Sequence, residues 1–484
     1  MKKTTLLYLL PLLTLAACGG GGNKSGQNGS DTTKKDSMNT AANATVLTAV
    51  GQPAATAPYT IEVIDTKAAF APTLQSFGFG QSGGQWLLVG GRTNGFHGTS
   101  DNESTFPTKF GNTNMFVVDP TSKKSWRLEI PAVFKLQLQS TNMNCYQDGD
   151  YLYCIGGYGS SCATDSPECY QTFPNLTAIN VPNAIAAITS NNAQALEASI
   201  TSITDERMRV TGGALRKIGG WFYLVMGQNY DKKYKGAVTG IYTQQVRKFQ
   251  IGNTGGQLTI NNYTAYDVPW STPPLNDQFH RRDLTVSETI MDDGTHGITV
   301  YGGVFSTNGG NGFPNPIYIS QDNTGNTAFA FDQGFAQKLN LYECANVTMY
   351  DPTAKNMYTS FLGGITDYYY DKAGVLTPGS IMNFLPFSKN ATTVVRNGTS
   401  KTSVEYPQQS PALPGYIGSD AEFIPNPALA TYGGMDEMID YSQVPSGRTL
   451  VGWMYGGILS TAEQSSEMNP TFANSKIYEV WITK

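Results

Sequence analysis

The chain is poor in histidine, with only three in 484 residues: His97, His280 and His296. They are widely separated in the sequence, and no CxxC, HExxH or P-loop pattern accompanies them. These absences argue against a histidine-rich metal site and against the metalloprotease and nucleotide-binding classes that such motifs mark. We therefore predict no metal and no cofactor.

Charged residues are also scarce, at 14% of the chain, and the acidic residues outnumber the basic ones by 37 to 32. Without residues 1–17 the chain has 30 basic and 37 acidic residues, a net charge of −7 with histidine neutral. Such a protein lacks the basic surface that nucleic acids select, so we expect no nucleic-acid partner. Glycine (52), tyrosine (27) and phenylalanine (22) are plentiful, which is typical of a β-rich exported protein.

Long apolar runs are missing as well. Residues 6–15 form an apolar segment that is too short to span a bilayer, and Lys2 and Lys3 precede it. The sequence Leu-Ala-Ala-Cys that ends at Cys18 resembles the lipobox of bacterial lipoproteins. This resemblance implies a signal peptide at 1–17 and a lipid on Cys18, the alternative being an ordinary signal peptide with a chance cysteine. It also implies attachment to the bacterial outer membrane by the lipid alone, on the periplasmic or the cell-surface side.

The segment after Cys18 is low in complexity: it begins GGGGNKSGQNGS and continues with Thr, Lys, Asp, Asn and Ala. It lacks the apolar content of a core, and Gly/Ser/Asn-rich chain behaves as a flexible tether. We therefore predict a lipidated cysteine and disordered linker at 18–57 and one folded domain at 58–484.

Five further cysteines follow the lipobox-like segment. An exported protein can form disulfides, and two pairs are close enough in sequence to do so: Cys145 with Cys154 across a probable hairpin, and Cys162 with Cys169 around CATDSPEC. Sequence alone does not fix connectivity, and a metal site at the second pair would need two more ligands that are not nearby. We predict both disulfides and leave Cys344 unpaired.

Six short apolar runs end in Gly-Gly or a close copy, at intervals of 61 to 93 residues. The runs are WLLVGG (86–91), YLYCIGG (151–157), WFYLVMG (221–227), ITVYGG (298–303), YTSFLGG (358–364) and VGWMYGG (451–457). Self-similarity at a roughly regular interval is the signature of a repeat architecture. Glycine suits positions where the backbone takes positive φ or approaches another chain segment closely.

The first unit carries a resemblance to kelch repeats. WLLVGG is followed there by a loop, by MFVVDP (115–120) and by a strand that begins at Trp126. This is the order of a kelch unit of about 50 residues, and the other units match it less fully. Proteins with such repeats include the galactose-oxidase-like propellers. The resemblance therefore implies an all-β fold, namely a six-bladed kelch-like β-propeller. The copper-radical oxidases of that group need two histidines and two tyrosines around one metal, and we cannot place such a set in this sequence.

Ring closure can be predicted from the two ends of the domain. Most units offer four strands, and residues 182–197 between two of them are helical or turn-rich in pattern. The last unit lacks a fourth strand, whereas an unassigned strand lies at 59–66. Because the ring needs a strand to cover that open edge, we predict that 59–66 pairs with 477–482.

The loops after each Gly-Gly run and the segments that join blades should open on one face, where long loops on a rigid scaffold place function. The candidate binding residues there are Arg92, Tyr158, Arg207, Arg209, Tyr230, Arg281, Arg282, Glu343 and Tyr369. The aromatic rings could stack on a sugar, grip a protein or only pack the loops. The arginines 207, 209, 281 and 282 could form an anion-binding ring, or pair internally with Glu206, Asp283 and Glu343.

Two functions fit this sequence. The first is a lipoprotein without catalytic residues whose loop face binds a glycan or another outer-membrane or secreted protein. The alternative is a sugar-modifying enzyme of the mutarotase or epimerase kind, with an Arg/Glu site at the channel mouth.

Overall fold

The computed structural model describes residues 43–47, 57–98, 105–235, 240–307, 312–371, 373–379, 385–408, 411–465 and 470–484. Cys18, the proposed signal peptide and most of the proposed linker lie outside these residues. The described chain forms the predicted all-β propeller of six blades. No helix in the described part is long and apolar enough to cross a membrane.

Each blade is an antiparallel sheet whose first strand lies nearest the axis. Blades one and two contain Gly78–Ser82, Gln85–Val89, Asn114–Asp119 and Lys124–Glu129, then Thr141–Asp148, Tyr151–Ser160, Asn175–Asn180 and Ile200–Thr204. Blades three and four contain Ala214–Ile218, Trp221–Val225, Gln245–Thr254 and Gln257–Asp267, then Leu284–Ile290, His296–Gly302, Ile317–Gln321 and Thr327–Asp332. Blades five and six contain Asn346–Asp351, Asn356–Leu362, Ala391–Asn397 and Thr402–Gln408, then Ala421–Pro425, Arg448–Gly456, Ile477–Thr483 and Thr60–Asp65.

Smaller elements decorate the blades. The helices are Lys135–Leu138, Val181–Thr189 and Ala193–Ala198, and the last two confirm the helical pattern of residues 182–197. The one-turn 3-10 helices are Thr108–Phe110, Ala132–Phe134, Pro167–Cys169, Glu206–Met208, Leu275–Asp277 and Tyr441–Gln443. The short strands are Tyr170–Thr172, Gln228–Asn229, Ile241–Tyr242, Tyr368–Tyr370, Leu376–Pro378, Met438–Asp440, Ile458–Ser460 and Thr471–Ala473. The core lies between neighbouring blades, where alternate strand residues interdigitate.

The predicted ring closure is confirmed. Thr60–Asp65 is antiparallel to Ile477–Thr483, with Ile61 opposite Ile482 and Val63 opposite Val480. Both Ile61 and Val63 are buried, so the first strand of the domain completes the core of the last blade. Thr60–Asp65 is the outermost strand of that sheet and gives the last blade its fourth strand.

One strand was not predicted. Asn43–Leu47, within the proposed linker, runs parallel to Thr327–Asp332 as a fifth, outermost strand of blade four. The Nδ2 atom of Asn43 donates a hydrogen bond of 3.0 Å to Asp322 Oδ2. A run as short as NATVL offers no periodicity that distinguishes a strand from linker, so sequence patterns do not reveal this pairing.

The Gly-Gly runs join neighbouring blades. The N–H of the second glycine donates to a carbonyl of the segment that enters the next blade, and these six pairs are Gly91–Ser140, Gly157–Val210, Gly227–Arg281, Gly303–Leu341, Gly364–Ile417 and Gly457–Leu74, at 2.7–3.1 Å. A Cβ at Gly156, Gly302 or Gly363 would overlap that same carbonyl oxygen, at 1.8–2.3 Å, whereas the third run has Met226 at this position. The repeat that defines the sequence is therefore the contact that holds blade to blade.

A closed belt of backbone hydrogen bonds encircles the axis, and we call it the axial belt. In each blade, a residue within three positions of the start of the first strand donates its N–H to the carbonyl of the equivalent residue one blade earlier in the ring. The bonds run from Ser76 to Asp420 (3.4 Å), Asn142 to Ser76 (3.3 Å), Gly212 to Asn142 (3.3 Å), Asp283 to Gly212 (2.7 Å), Glu343 to Asp283 (2.9 Å) and Asp420 to Glu343 (3.1 Å). The belt separates a pocket on the Gly-Gly face from a chamber further along the axis.

The opposite end of the axis is covered by the long connection between the first two strands of blade six. Its strand Met438–Asp440 pairs in parallel with Asn346–Asp351, the first strand of blade five. Met435 and Met438 pack there against Ile290 and neighbouring side chains in one buried cluster. The channel is therefore closed on that side by the protein itself.

Candidate functional site

A pocket opens on the Gly-Gly face, above the axial belt. We call it the mouth pocket. It is lined by Gln75, Ser76, Phe96, His97, Phe106, Thr141, Asn142, Tyr158, Thr211, Gly212, Gln228, Tyr230, Tyr234, Arg282, Asp283, Tyr342, Asp420 and Ile458. Segments that enter all six blades contribute to it, so the whole ring positions this site.

One wall of the mouth pocket is a stack of aromatic rings. The imidazole of His97 stacks between Phe96 and Phe106, with centroid distances of 4.8 and 4.4 Å. Tyr234 meets the same imidazole edge-on at 4.8 Å, and Tyr158 contacts Phe106 at 5.2 Å. Rings packed in this way hold one another in fixed orientations, so the wall is preformed.

The tyrosines are also fixed through their polar atoms. The hydroxyl of Tyr158 donates to the carbonyl of Lys232 (3.0 Å) and accepts from the N–H of Tyr234 (2.7 Å). The N–H of Tyr230 donates to Thr172 Oγ1 at 2.9 Å. These bonds tie together the Gly-Gly loops of blades two and three, which supply the tyrosines.

Arg282 is the cation of the mouth pocket. Its guanidinium lies 3.3 Å from Asp283 Oδ2, donates to the hydroxyls of Tyr230 and Tyr234, and lies 4.7 Å from the ring centroid of Phe305. Burial opposes this charge, but the Asp283 carboxylate and the tyrosine hydroxyls outweigh it and raise the pKa of Arg282. Arg282 is therefore a permanent cation whose charge is balanced within the protein.

Two carboxyl groups of the axial belt face the pocket. Burial raises the pKa of Asp283, although Arg282 and Asn142 act in the opposite direction. Burial, together with the charge of Asp283, raises the pKa of Asp420 to about 7. Asp420 therefore exists in both protonation states near neutral pH, and its carboxyl can donate or accept a hydrogen bond.

The other basic groups near the pocket, His97 and Arg92, add no positive charge to its lining. Burial lowers the pKa of His97 to about 4, and the charges of Arg282 and Arg92 add to this effect, so the imidazole is neutral. Arg92 lies behind the aromatic wall, where it donates to Asn94 Oδ1 (3.0 Å) and to the carbonyl of Pro107 (2.8 Å). It supports the wall without lining the pocket.

The four arginines that could form a ring or pair internally do not come together at one site. Arg207 pairs with Asp205 at 2.6 Å, and Arg209 pairs with Glu206 at 2.7 Å, both beside blade two. Arg281 is fully buried, and its guanidinium donates to the backbone carbonyls of Gln278, Gly302 and Asn315. Carboxylates and carbonyls near the segments that join the blades thus bind three of these arginines. Of the four, only Arg282 lines the mouth pocket.

Glu343 and Tyr369 also lie outside the mouth pocket. The Glu343 side chain lines a chamber of about 610 Å³ on the other side of the axial belt, together with Arg216, Glu422 and Glu437. Tyr369 belongs to the hairpin of Tyr368–Tyr370 and Leu376–Pro378 and lines a separate groove. Of the nine candidate binding residues, Tyr158, Tyr230 and Arg282 line the mouth pocket directly.

The cysteine predictions had different outcomes. The disulfide between Cys162 and Cys169 is present. Cys145 and Cys154 face each other across the predicted hairpin but are free thiols, and Cys344 is free and buried. The hydrogen bond to Cys154 and burial raise the pKa of Cys145 well above its ordinary value, which disfavours the thiolate that disulfide exchange requires. In the described part of the chain, no cluster of His, Cys, Asp and Glu could hold a metal ion.

The sequence places Asp283 and Asp420 among the charged residues of the segments that join blades, but not among the candidate binding residues. Sequence reasoning missed His97 and Phe106 as residues of the pocket. Both lie in a long loop whose path no local pattern indicates.

Neither a protein-family model nor a curated protein sequence matches this chain. Among solved structures, one titled "Structure of YjhT" aligns with 84% of this chain and 98% of that chain. The aligned residues are 10% identical and the TM-score is 0.44, so we draw no argument from this likeness. The six-bladed propeller is established by the sheets of this chain alone.

Proposed function

We propose that this protein is an exported lipoprotein, anchored through Cys18 to the outer membrane, whose kelch-like propeller binds a neutral saccharide in the mouth pocket. The lipobox-like residues 15–18 support the anchor, and the order of strands and turns in residues 86–130 supports the kelch type. The observation that carries the ligand class is the composition of the mouth pocket.

The pocket combines flat rings with planar polar groups, as sugar-binding sites require. The rings of Phe106 and Tyr158 line the pocket, where apolar ring surface suits contact with the C–H groups of a pyranose. The carboxyls of Asp283 and Asp420 and the amide of Gln228 can bond to neighbouring hydroxyls. The Oε1 atom of Gln228 is buried without a hydrogen-bond partner among the described residues, which leaves an acceptor for a ligand.

The charge balance favours a neutral sugar over an acidic one. Arg282 is the only lysine or arginine among the described residues that line the mouth pocket, and Asp283 already pairs with it. An anionic ligand would have to displace that carboxylate and then lie beside Asp420. A neutral sugar can instead donate its hydroxyl protons to both carboxyls.

A protein partner on the same face is a weaker fit. A protein interface needs exposed aromatic anchors, whereas Tyr158, Tyr230 and Tyr234 are only 3–4% exposed. These rings form the inside of a concave site. A concave site lined by aromatic rings and a few polar groups is the usual form of a small-ligand pocket.

The test is saturation-transfer NMR with D-glucose, D-galactose, D-mannose and N-acetyl-D-glucosamine as probes. We expect saturation transfer to at least one sugar, and a loss of about tenfold or more in its affinity with Asp420→Asn, which keeps the shape of the side chain. The control is Asp293→Asn, the same change in a turn on the opposite face, which should leave affinity unchanged. Absence of transfer to all four sugars, or an unchanged affinity in Asp420→Asn, would overturn the proposal.

One observation favours the enzymatic alternative. A carboxyl with a pKa near 7 beside a second carboxyl is suited to general acid–base chemistry on a sugar ring, such as interconversion of anomers. The expected Arg/Glu pair would then be replaced by Arg282 with Asp420. Polarimetry of freshly dissolved α-D-glucose and α-D-galactose, with wild type and Asp420→Asn, separates the two functions, because binding alone does not accelerate the change in rotation.

A further inference from the structure

We propose that the mouth pocket is one subsite of a longer saccharide site and that a tyrosine-lined groove beside it binds the next sugar units. This inference rests on the proposed function, since it extends the ligand from one sugar to an oligosaccharide. The groove, which we call the tyrosine groove, is formed by Tyr368, Tyr369, Tyr370, Tyr416, Lys389 and Glu463 and has a volume of about 560 Å³.

The two cavities share a wall. Phe96 lines the mouth pocket and Phe387 lines the tyrosine groove, and their rings meet edge to face with centroids 6.3 Å apart. Both rings belong to one apolar cluster that also contains Tyr342 and Ile458 from the mouth pocket. The mouth pocket and the tyrosine groove are therefore neighbours, separated by these two rings.

Two chain segments also run from one cavity to the other. The segment 339–342 places Leu339 in the groove and Tyr342 in the mouth pocket. The segment 458–463 places Ile458 in the mouth pocket and Glu463 in the groove. Because the same segments build both cavities, their separation is fixed by the propeller and does not depend on a moving loop.

The groove has the chemistry of a sugar-stacking surface. Tyr368, Tyr369 and Tyr370 are half-buried, unlike the fully buried tyrosines of the mouth pocket, so ring surface remains accessible. The strand they form is held by its pairing with Leu376–Pro378, in which Tyr369 lies opposite Thr377. Tyrosine rings held on a rigid hairpin suit stacking against successive pyranose units.

Polar groups in the groove are also available. Lys389 Nζ lies 4.3 Å from the ring centroid of Tyr416, and its side chain is exposed. The Oε1 atom of Glu463 is buried and lacks a hydrogen-bond partner among the described residues. Buried polar atoms in native proteins are normally satisfied, so this acceptor is available for a hydrogen bond from a ligand hydroxyl.

The test measures affinity against chain length by calorimetry, with malto- and chito-oligosaccharides of one to four units as probes. In the wild type we expect affinity to rise about tenfold or more between one unit and three or four. Tyr416→Ala and Tyr369→Ala should each lower the affinity for the longer sugars about three- to tenfold and leave that for the single unit unchanged. Tyr151→Ala, which removes a half-buried tyrosine on the opposite face, is the matched control.

The outcomes distinguish the two proposals. If single sugars bind and chain length adds nothing, the tyrosine groove is not a subsite, while the proposed function stands. If Tyr416→Ala lowers the affinity for the single sugar and for the longer sugars equally, Tyr416 affects binding only by supporting the fold, and the inference is also overturned. If neither series binds to the wild type, both proposals fail.

Discussion

Replacing Gly156 with alanine tests whether the Gly-Gly runs are the contacts that join the blades. Gly156 has φ +67°, and a Cβ at this position would overlap the carbonyl oxygen of Val210 in the segment that enters blade three. That oxygen accepts hydrogen bonds from Gly157 N (3.1 Å) and from Asn144 Nδ2 (3.0 Å). The methyl group must therefore displace an acceptor that two donors share.

The expected loss follows from these contacts. A left-handed backbone costs a non-glycine residue about 1–2 kcal/mol. Each hydrogen bond lost with the displaced carbonyl adds about 1 kcal/mol. The free energy of unfolding should therefore fall by about 3–4 kcal/mol in Gly156→Ala.

Gly149→Ala is the matched control, because Gly149 also has positive φ (+58°) but has no atom within 4 Å of the added Cβ. The free energy of unfolding of Gly149→Ala should fall only by the cost of the left-handed backbone, about 1–2 kcal/mol. Guanidinium unfolding followed by tryptophan fluorescence gives both values. Equal losses in the two variants would show that the inter-blade contact at Gly156 contributes nothing, contrary to our explanation of the repeat.

Three further predictions concern pH, ring closure and the disulfide. Asp420 has a native pKa of about 7, above the usual 3.8, so the folded protein holds a proton that the unfolded chain releases. Stability should therefore fall as pH rises from about 4 to 7, by at most about 4 kcal/mol from this group, and Asp420→Asn should make the fall less steep. The fall should not vanish, because burial also raises the pKa of Glu405 and of Glu422 to about 7. Val63→Asp places an unpaired charge in the buried closing strand and should lower the free energy of unfolding by about 3 kcal/mol or more. Thr60 is exposed in the same strand, so Thr60→Asp should lower it by under about 1 kcal/mol. Thermal melts of the two variants measure this difference. Reduction of the Cys162–Cys169 disulfide should destabilise its loop by roughly 2–3 kcal/mol, and limited proteolysis with and without reductant would show faster cleavage within 160–172, while unchanged cleavage would contradict this.

The sequence was sufficient to predict the architecture because its signal is repeated. Each Gly-Gly run marks the same inter-blade contact, so a weak pattern becomes reliable when it recurs six times. The closing strand could be predicted because an unpaired edge at residues 477–482 required a partner. The strand Asn43–Leu47 and the cover over the far end of the axis occur once each, and no repeat indicates them.

The site was harder to predict, and Arg281 and Arg282 show why. They are adjacent in sequence, yet one is fully buried in bonds to carbonyls and the other faces the mouth pocket. The chain there is irregular, with φ +49° at Asp283, so the alternation that assigns faces along a strand does not apply. The three-dimensional path of the segment that joins two blades decides which of its side chains reaches the axis.

The axial belt has a consequence for how such a site can diversify. Its hydrogen bonds use backbone atoms only, and its six positions hold serine, asparagine, glycine, aspartate, glutamate and aspartate. Exchanging side chains at the five positions that line the mouth pocket alters its floor, and exchanging Glu343 alters the chamber on the other side, while the backbone groups of the belt remain. The side chains at these six positions can therefore change while the hydrogen-bonded backbone of the belt stays the same. New ligand preferences can arise there with little change to the fold.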